Sequence, residues 1–376
     1  MKIGIMTMQK IKNYGSFLQS YSLKKNIEAL GGDVEFVDYV VEPCLNIQVD
    51  SNKKLKKDII GVIRRRLGIY KKNEKLFLEM KKFKQRYDDE FFGILYGTGK
   101  FDNYLPELDA LVIGSDEVFN CLQKNPNIGY SKQLFGKDNN AKLLISYAAS
   151  FGNTTLDGLK KYNIADEIKD LLSKFDAISV RDNNSKEIVN SLLGTEPVMH
   201  VDPVFLYDYQ EIDRYDIKLK DYIVVYAYNN RIKPNEAEKI KALATKMKKK
   251  IVCLGEYQNF CDIYIPADPF EMLAYIKSAD YVISDTFHGT VFSIKLNKKF
   301  AVITRNSKNG AYGNEEKLLC LLKQFNLENR IVNDIDNIEA CMTKEVDYVP
   351  INKKIQDEKE RSISYLKNQF LKLNQI

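Results

Sequence analysis

Short apolar segments alternate with longer amphipathic segments along the chain. Runs such as Ile3–Met6 and Leu143–Ala148 predict strands that are buried on both faces, because both are almost continuously apolar. The segment Ser16–Leu30 has helical periodicity and ends at the glycine pair Gly31-Gly32, a common signal at a helix C-terminus. Strands that alternate with helices in this way predict a parallel sheet with helices on both faces.

This alternation occurs twice. The second series begins at Tyr222, after the polar and proline-free segment Leu206–Lys220, and a chain of 376 residues is long for a single core. We therefore predict an α/β fold with two Rossmann-like doubly wound domains that face each other across a cleft. The predicted domains are residues 1–207 and residues 208–376, the second closing with a polar helix over about Gln356–Leu373. Ligands of such sheets bind beyond the carboxyl ends of the strands.

One basic segment, Asn52–Arg86, does not fit the alternation. From Ser51 to Arg86 there are 14 Lys or Arg and three acidic residues, although the whole chain carries only +6. Apolar residues recur there at every fourth position, which predicts a helical insertion at about 52–88 in the first domain: Leu55, Ile59, Ile63 and Leu67. Two interpretations remain open. The insertion packs on the domain with a solvated basic face, or Lys53–Arg86 makes peripheral contact with an anionic membrane surface.

Several classes of protein are disfavoured by what the sequence lacks. No apolar run reaches the roughly 18 residues of a transmembrane helix, and the N-terminal MKIGIMTMQ has no signal-peptide pattern. The six cysteines form no CxxC pair, so we expect reduced structural thiols and no metal site. No nucleic-acid motif accompanies the basic segment, so nucleic-acid binding is not expected. We expect a cytoplasmic protein, with the inner face of the plasma membrane as the place of any membrane contact.

Two predicted strand ends carry charged side chains. Asp116 follows the strand Asp109–Gly114, where a carboxylate can act as a base, hold a sugar hydroxyl or cap a helix. Arg181 follows a short apolar strand and precedes a helix that we expect to be capped within Asn183–Ser185. A guanidinium beside free helix N–H groups suits a carboxylate or phosphate, and the alternative is a surface ion pair with Asp182.

A third strand end holds His288, one of only two histidines, in the stretch VISDTFHG. Gly289 follows it and would let a ligand approach the backbone closely. Lys308 lies beyond the next strand, so Arg181, His288 and Lys308 together predict an anion pocket with one titratable group. The alternative is a structural histidine, which is the interpretation we favour for His200 inside an apolar run. The chain has no GxxxxGK[ST], GxGxxG or GxSxG motif, which disfavours P-loop ATPases, simple dinucleotide enzymes and α/β-hydrolases.

Six segments, in order along the chain, resemble the polysaccharide pyruvyl transferase family. The match departs from the family pattern at Glu117, Phe119 and Thr286, where Gln, Trp and Ser are usual. The segments are IGIMTMQKIKNYGSFLQSYSLKKNIEALGGDVEFVDY, LDALVIGSDEVFN, ISYAASFG, ISVRDNNSKEIV, VDPVFL and VISDTFHGTVFSIKLNKKFAVI.

The resemblance implies a GT-B-like fold, with an acceptor-binding first domain and a donor-binding second domain. It implies transfer of an enolpyruvyl-derived group from phosphoenolpyruvate to sugar hydroxyls, which forms a pyruvate ketal on a cell-envelope polysaccharide, such as an exopolysaccharide, or on its lipid-linked precursor. Phosphoenolpyruvate is then the donor substrate, and no cofactor is needed. Two alternatives stay open: a GT-B-type glycosyltransferase that uses a nucleotide-activated donor, and a catalytically inactive glycan-binding protein.

The resemblance also assigns roles to residues. Donor contacts fall on Arg181 and His288, with Lys308 as the match for a further basic residue. Thr286 stands where some members carry an arginine that contacts the donor. The catalytic roles fall on His288 and Asp116, and the acceptor-binding positions are Asn13, Tyr14 and Asp116.

Overall fold

The computed structural model describes residues 1–45, 85, 90–91, 107–125, 130–229, 231–305 and 314–375. The predicted basic insertion, apart from Gln85, and Lys308 lie outside the described residues. Within this part of the chain, no helix is long and apolar enough to cross a membrane.

Two parallel sheets of six strands each organise the described chain. The first contains β1 (Lys2–Met6), β2 (Asp33–Phe36), β3 (Leu108–Asp116), β4 (Ala141–Ala149), β5 (Ser179–Val180) and β6 (Val198–Met199). The second contains β7 (Tyr222–Tyr226), β8 (Lys250–Leu254), β9 (Ile263–Ile265), β10 (Tyr281–Ser284), β11 (Lys299–Ile303) and β12 (Ile331–Val332). Their strand orders are β2-β1-β3-β4-β5-β6 and β12-β11-β10-β7-β8-β9. The predicted α/β class with two doubly wound sheets is confirmed.

Helices flank both sheets. Those in the first half are α1 (Tyr14–Ala29), α2 (Leu156–Lys161), α3 (Ala165–Leu172) and α4 (Asn183–Leu193). Those in the second half are α5 (Pro234–Lys246), α6 (Pro269–Ser278), α7 (Phe287–Lys295), α8 (Glu315–Gln324), α9 (Ile338–Thr343) and α10 (Tyr348–Leu371). Short 3-10 turns occupy Lys132–Phe135, Pro203–Phe205, Gln210–Arg214, Glu328–Arg330, Ile335–Asn337 and Lys372–Gln375.

Two helix starts differ from the prediction. The cap of α4 is Asp182, whose carboxylate accepts a hydrogen bond from Ser185 N at 2.8 Å, so the predicted cap within Asn183–Ser185 was wrong. Helix α10 begins at Tyr348 rather than near Gln356, because Pro350 falls in the first turn, where a missing backbone N–H costs little.

The strand orders place a switch point in each sheet. In the first sheet the chain leaves β1 for β2 on one side and later for β3 on the other. In the second sheet β7 and β10 are the corresponding neighbours. The loops that follow these four strands therefore diverge and leave a crevice at the carboxyl edge of each sheet, where α/β proteins bind ligands.

Helix α10 connects the two halves of the molecule a second time. Near its start the Tyr348 hydroxyl donates to the Lys298 carbonyl in the second half. Near its end the Tyr365 hydroxyl donates to the Ser146 carbonyl at 2.9 Å, and its ring lies 4.7 Å from that of His200. His200 is buried, as predicted, and burial lowers its pKa to about 3.

Candidate active site

Loops from both switch points meet around His288. Its helix, α7, begins directly after β10, and the cap residue Thr286 accepts a hydrogen bond from Gly289 N at 2.9 Å. Gly289 is needed here because a Cβ would lie 2.1 Å from Ser284 Oγ and 2.7 Å from Thr286 Oγ1. This tight cap fixes the start of α7 and therefore the direction of the His288 side chain.

The His288 ring is held between two residues of the first half. Its Nε2 is buried and lies 3.4 Å from Asp202 Oδ2. On the other side Gly15 packs against the ring, and a Cβ on Gly15 would lie 2.3 Å from Nδ1. The side chain keeps 13% of its surface exposed, so the histidine is mostly buried and only its edge reaches the cleft.

Asp202 also pairs with Arg181. The guanidinium donates from Nη1 to Asp202 Oδ2 at 2.7 Å and from Nη2 to Asp116 Oδ1 at 3.2 Å. It also lies 4.1 Å from the centre of the Phe287 ring, which brings a cation against an aromatic face. Arg181 is therefore buried between two carboxylates and an aromatic ring, and the alternative of a surface pair with Asp182 was wrong.

The charged groups at this site shift one another's pKa values. Burial disfavours the charged guanidinium, but Asp116 and Asp202 outweigh burial and raise the pKa of Arg181 above its ordinary value. Burial works to raise the pKa of Asp202, but His288 and Arg181 outweigh it and hold that pKa below its ordinary value. Arg181 and Asp202 therefore keep each other ionised despite their burial.

Asp116 ends strand β3 and caps no helix, so the capping interpretation was wrong. Its φ of +76° lies in the left-handed region, which is uncommon for a residue other than glycine. Its carboxylate meets Arg181 on one side and lies 3.4 Å from the Ser16 hydroxyl on the other. Such backbone strain persists where surrounding contacts hold it, and the effect is to aim this carboxylate at the cleft.

A second acid, Asp285, lies directly before the cap residue of α7. Its Oδ1 accepts from Tyr228 N at 3.1 Å, whereas its Oδ2 is buried without a hydrogen-bond partner among the described residues. Burial raises the pKa of the Asp285 carboxyl to about 6, against the lowering effect of the nearby Arg231.

Two neighbouring cavities meet at His288. The first, which we call the polar cleft, has a volume of about 1020 Å³ and is lined by acids and bases from both halves. Its charged residues are Asp116, Glu117, Lys124, Arg231, Asp285 and Lys317. An ion pair between Lys317 Nζ and Glu117 Oε1, at 2.8 Å, joins the two halves there.

The second cavity, which we call the tyrosine pocket, has a volume of about 680 Å³. Its walls are mainly aromatic and come from Tyr14, Tyr226, Tyr228 and Tyr264. Asn13, Tyr228, Thr286 and His288 line both cavities and so form their common boundary. The arrangement offers a charged site and an aromatic site on either side of one imidazole.

The predicted acceptor residues have structural contacts as well. Asn13 caps α1, and its side-chain oxygen accepts from Ser16 N at 2.8 Å. The Tyr14 hydroxyl donates to the Ala267 carbonyl at 2.7 Å, and burial raises its pKa well above the ordinary value. The ring of Tyr14, rather than its hydroxyl, is thus what faces the tyrosine pocket.

The structure brings Asn13, Tyr14, Asp116, Thr286 and His288 together at the two cavities, and Arg181 lies directly behind them. Lys308 lies outside the described residues. Sequence reasoning missed four residues whose contacts become visible only in three dimensions: Gly15, Asp202, Asp285 and Lys317. In the described chain, no group of three or more His, Cys, Asp or Glu is arranged to hold a metal ion.

Two doubly wound sheets with a site between them define a fold of the GT-B type. Similar structures include UDP-GlcNAc 2-epimerase from Neisseria meningitidis bound to UDP-GlcNAc, with a TM-score of 0.50, 11% identity, and coverage of 99% of this chain and 100% of that chain. Another is Arabidopsis thaliana UGT89C1 complexed with UDP-L-rhamnose, with a TM-score of 0.49, 8% identity and 98% of each chain covered. At these identities the likeness concerns the fold alone. No curated protein matches the chain in sequence.

The sequence identifies the family to which the protein belongs. A family model described as polysaccharide pyruvyl transferase matches residues 13–307, which include every predicted site residue except Lys308. The chain belongs to the polysaccharide pyruvyl transferase family and is a transferase.

Proposed function

We propose that this protein transfers a pyruvyl group from phosphoenolpyruvate to a saccharide and forms a pyruvate ketal. The observation that carries the proposal is the position of His288 on the boundary between a charged cleft and an aromatic pocket. A small anionic donor and a sugar acceptor need two such environments, in contact at one group that can move a proton. Membership of the family supports the same reaction.

The donor is proposed to bind in the polar cleft. Phosphoenolpyruvate carries a carboxylate and a phosphate, and both groups suit cations and helix N-termini. The N-terminus of α7 and the side chains of Lys124, Arg231 and Lys317 border this cleft. Lys308 is proposed to add a further cation, and Arg181 to reach the donor with N–H groups that its two carboxylate partners do not use.

The acceptor is proposed to bind in the tyrosine pocket. Aromatic walls bind the apolar face of a ring, and a few polar groups at the mouth fix its orientation. Asn13 and His288 are polar groups on the boundary with the polar cleft, and Asp116 lies within that cleft. A sugar that stacks on the tyrosines would therefore direct its hydroxyls towards the donor.

The chemistry follows from this placement. One sugar hydroxyl adds across the double bond of the donor, so that its oxygen bonds to C2 and its proton goes to the methylene carbon. A second hydroxyl then attacks C2, loses its proton, and displaces phosphate to close the ketal. Both steps transfer protons, and an imidazole at the boundary of the two sites is suited to that task.

Transfer from phosphoenolpyruvate labelled in the pyruvyl carbons to a panel of envelope glycans tests the proposal. Label should enter the glycan with release of phosphate, and His288→Ala should lower the rate by roughly 10²–10⁴-fold, the usual contribution of general acid–base catalysis. Equal turnover by the variant would remove His288 from the mechanism. Absence of transfer to every glycan would contradict the function itself.

A nucleotide-activated donor is the second candidate, because the four tyrosines could also stack a nucleobase. Thermal-shift measurements separate the two functions. Stabilisation by phosphoenolpyruvate favours pyruvyl transfer, whereas stabilisation by a nucleoside diphosphate alone favours a glycosyltransferase. A glycan-binding protein without activity would be stabilised by glycan and by neither donor.

We also propose that Lys53–Arg86 brings the protein to the inner face of the plasma membrane, where lipid-linked acceptors would be found. Sedimentation with anionic phosphatidylglycerol vesicles, compared with neutral phosphatidylcholine vesicles, tests this proposal. Replacement of Lys53, Lys54, Lys56 and Lys57 by Gln should weaken binding to the anionic vesicles by about 4 kcal/mol, since each basic residue near the surface contributes about 1 kcal/mol.

A further inference from the structure

The two nitrogens of the His288 ring have different surroundings. Nε2 is buried and faces the carboxylate of Asp202 at 3.4 Å. Nδ1 packs against Gly15, where a Cβ would lie 2.3 Å from Nδ1, so only glycine leaves room for the ring. No hydrogen bond to Nδ1 occurs within the described chain, and Nδ1 is not one of its buried unpaired atoms. Of the two ring nitrogens, Nδ1 is therefore the one that a ligand can reach.

Asp202 is itself fixed in place by three contacts. Its Oδ1 accepts from Val204 N at 3.0 Å and so caps the 3-10 turn Pro203–Phe205. Its Oδ2 accepts from Arg181 and also faces His288. An ionised, immobile carboxylate next to an imidazole nitrogen favours the tautomer that carries its proton on that nitrogen.

We propose that Asp202 is a positioning residue that holds the neutral His288 in the Nε2–H tautomer, so that Nδ1, the ring nitrogen that is not buried, is left unprotonated. The contact of 3.4 Å shortens to a hydrogen bond when the substrates bind, as catalytic hydrogen bonds often do. This inference rests on the proposed function, in which His288 transfers a proton.

The arrangement assigns each proton of the addition step. In the protonated ring, which Asp202 stabilises, Nδ1–H gives its proton to the methylene carbon of the donor, so that C2 becomes an oxocarbenium-like electrophile. The sugar oxygen then bonds to C2, and its proton passes to the now unprotonated Nδ1, which restores the imidazolium. Gly15 has its own part in this scheme, because any side chain there would collide with the imidazole and displace it.

Nitrogen NMR of protein labelled with ¹⁵N-histidine tests the tautomer without any substrate. The chain has only two histidines, so two rings give the whole spectrum, and His200 serves as an internal reference because its Nδ1 lies 2.7 Å from Ser179 Oγ. At alkaline pH we expect His288 to carry its proton on Nε2 in the wild type and to lose this preference in Asp202→Asn. A proton on Nδ1 in the wild type, or an unchanged pattern in the variant, would overturn the proposal.

A closely matched control exists in the second half of the chain. Asp268 is also buried, also precedes a proline, and also caps the following turn, with Oδ1 accepting from Phe270 N at 2.9 Å. Asp268→Asn should therefore remove a similar buried charge and keep a similar cap, while the His288 tautomer stays as in the wild type. An equal change in His288 in both variants would attribute the effect to general loosening and reject the assignment to Asp202.

Kinetics separate positioning from a structural role. Asp202→Asn should lower kcat by roughly 10²–10⁴-fold, with a small change in the KM for phosphoenolpyruvate. A rise in KM with unchanged kcat would show that Asp202 acts only through Arg181, and would contradict the proposal. Gly15→Ala should lower kcat with Asp202 intact. If the wild type transfers nothing, the proposed function fails, whereas the NMR result still decides the tautomer.

Discussion

Replacement of Asp285 by Asn should stabilise the protein at neutral pH. The side chain is fully buried, and one of its oxygens lacks a hydrogen-bond partner among the described residues. Burial raises the pKa of this carboxyl from 3.8 to about 6, although Arg231 and Arg305 both act to lower it. Near pH 7 this buried carboxyl is ionised, and its ionisation lowers the free energy of unfolding.

The size of this cost follows from linkage. Between pH 4 and pH 6 the folded state retains a proton that the unfolded state has lost, so the free energy of unfolding falls as the pH rises. A pKa raised from 3.8 to about 6 corresponds to a loss of about 3 kcal/mol, complete above pH 7. Asn keeps the acceptor for Tyr228 N and carries no charge. It also buries an amide N–H, which costs about 1–3 kcal/mol, so we expect a net gain of up to about 2 kcal/mol at pH 8.

Urea unfolding of the wild type and Asp285→Asn at pH 4.5, 6 and 8 measures this effect. The difference between the two proteins should grow with pH and level off above pH 7. Asp347→Asn, which alters an exposed cap of α10, controls for the loss of one negative charge. A difference that is the same at all three pH values would refute the reasoning. A gain in stability that comes with loss of transfer activity would place Asp285 among residues kept for function.

Two further substitutions test contacts that join parts of the site. Arg181→Met should destabilise the protein by about 3–5 kcal/mol in urea unfolding, because Asp116 and Asp202 would remain buried without their cation. A loss of stability below about 1 kcal/mol would contradict this ion-pair network. Tyr14→Phe should cost about 1–2 kcal/mol, since it removes the hydrogen bond to the Ala267 carbonyl, and an unchanged urea midpoint would mean that this contact between the two halves contributes nothing.

The fold class could be predicted because it depends on the local pattern of apolar and polar residues along the chain. Strands such as β1 and β4 are nearly continuous apolar runs, and their burial on both faces is what such runs indicate. The location of His288 at a strand-to-helix junction was also predictable, because an apolar strand is followed there by a threonine, which caps the helix, and by a glycine. Helix starts were less predictable, since α10 accommodates a proline in its first turn.

The partners of the site residues could not be predicted from pattern. Arg181 was expected to face an anionic ligand, yet its nearest anions are Asp116 and Asp202, which come from other strand ends. Asp202 caps the turn Pro203–Phe205, and nothing in VDPVFL indicates that the same carboxylate faces His288. Gly15 matters only because the imidazole of a distant helix packs against it. Such contacts depend on how the two sheets dock.

Helix α10 has a mechanical consequence. The chain passes between the two halves first through residues 200–221 and again within α10, whose first turn holds the second half and whose Tyr365 holds the first. Two tethers restrict relative motion to rotation about the line that joins them, whereas a single linker would allow twisting in any direction. Substrate entry would therefore require one half to rotate relative to the other about this line. The separation of Gly15 from His288 would change with this rotation, because Gly15 lies in the first half and His288 in the second.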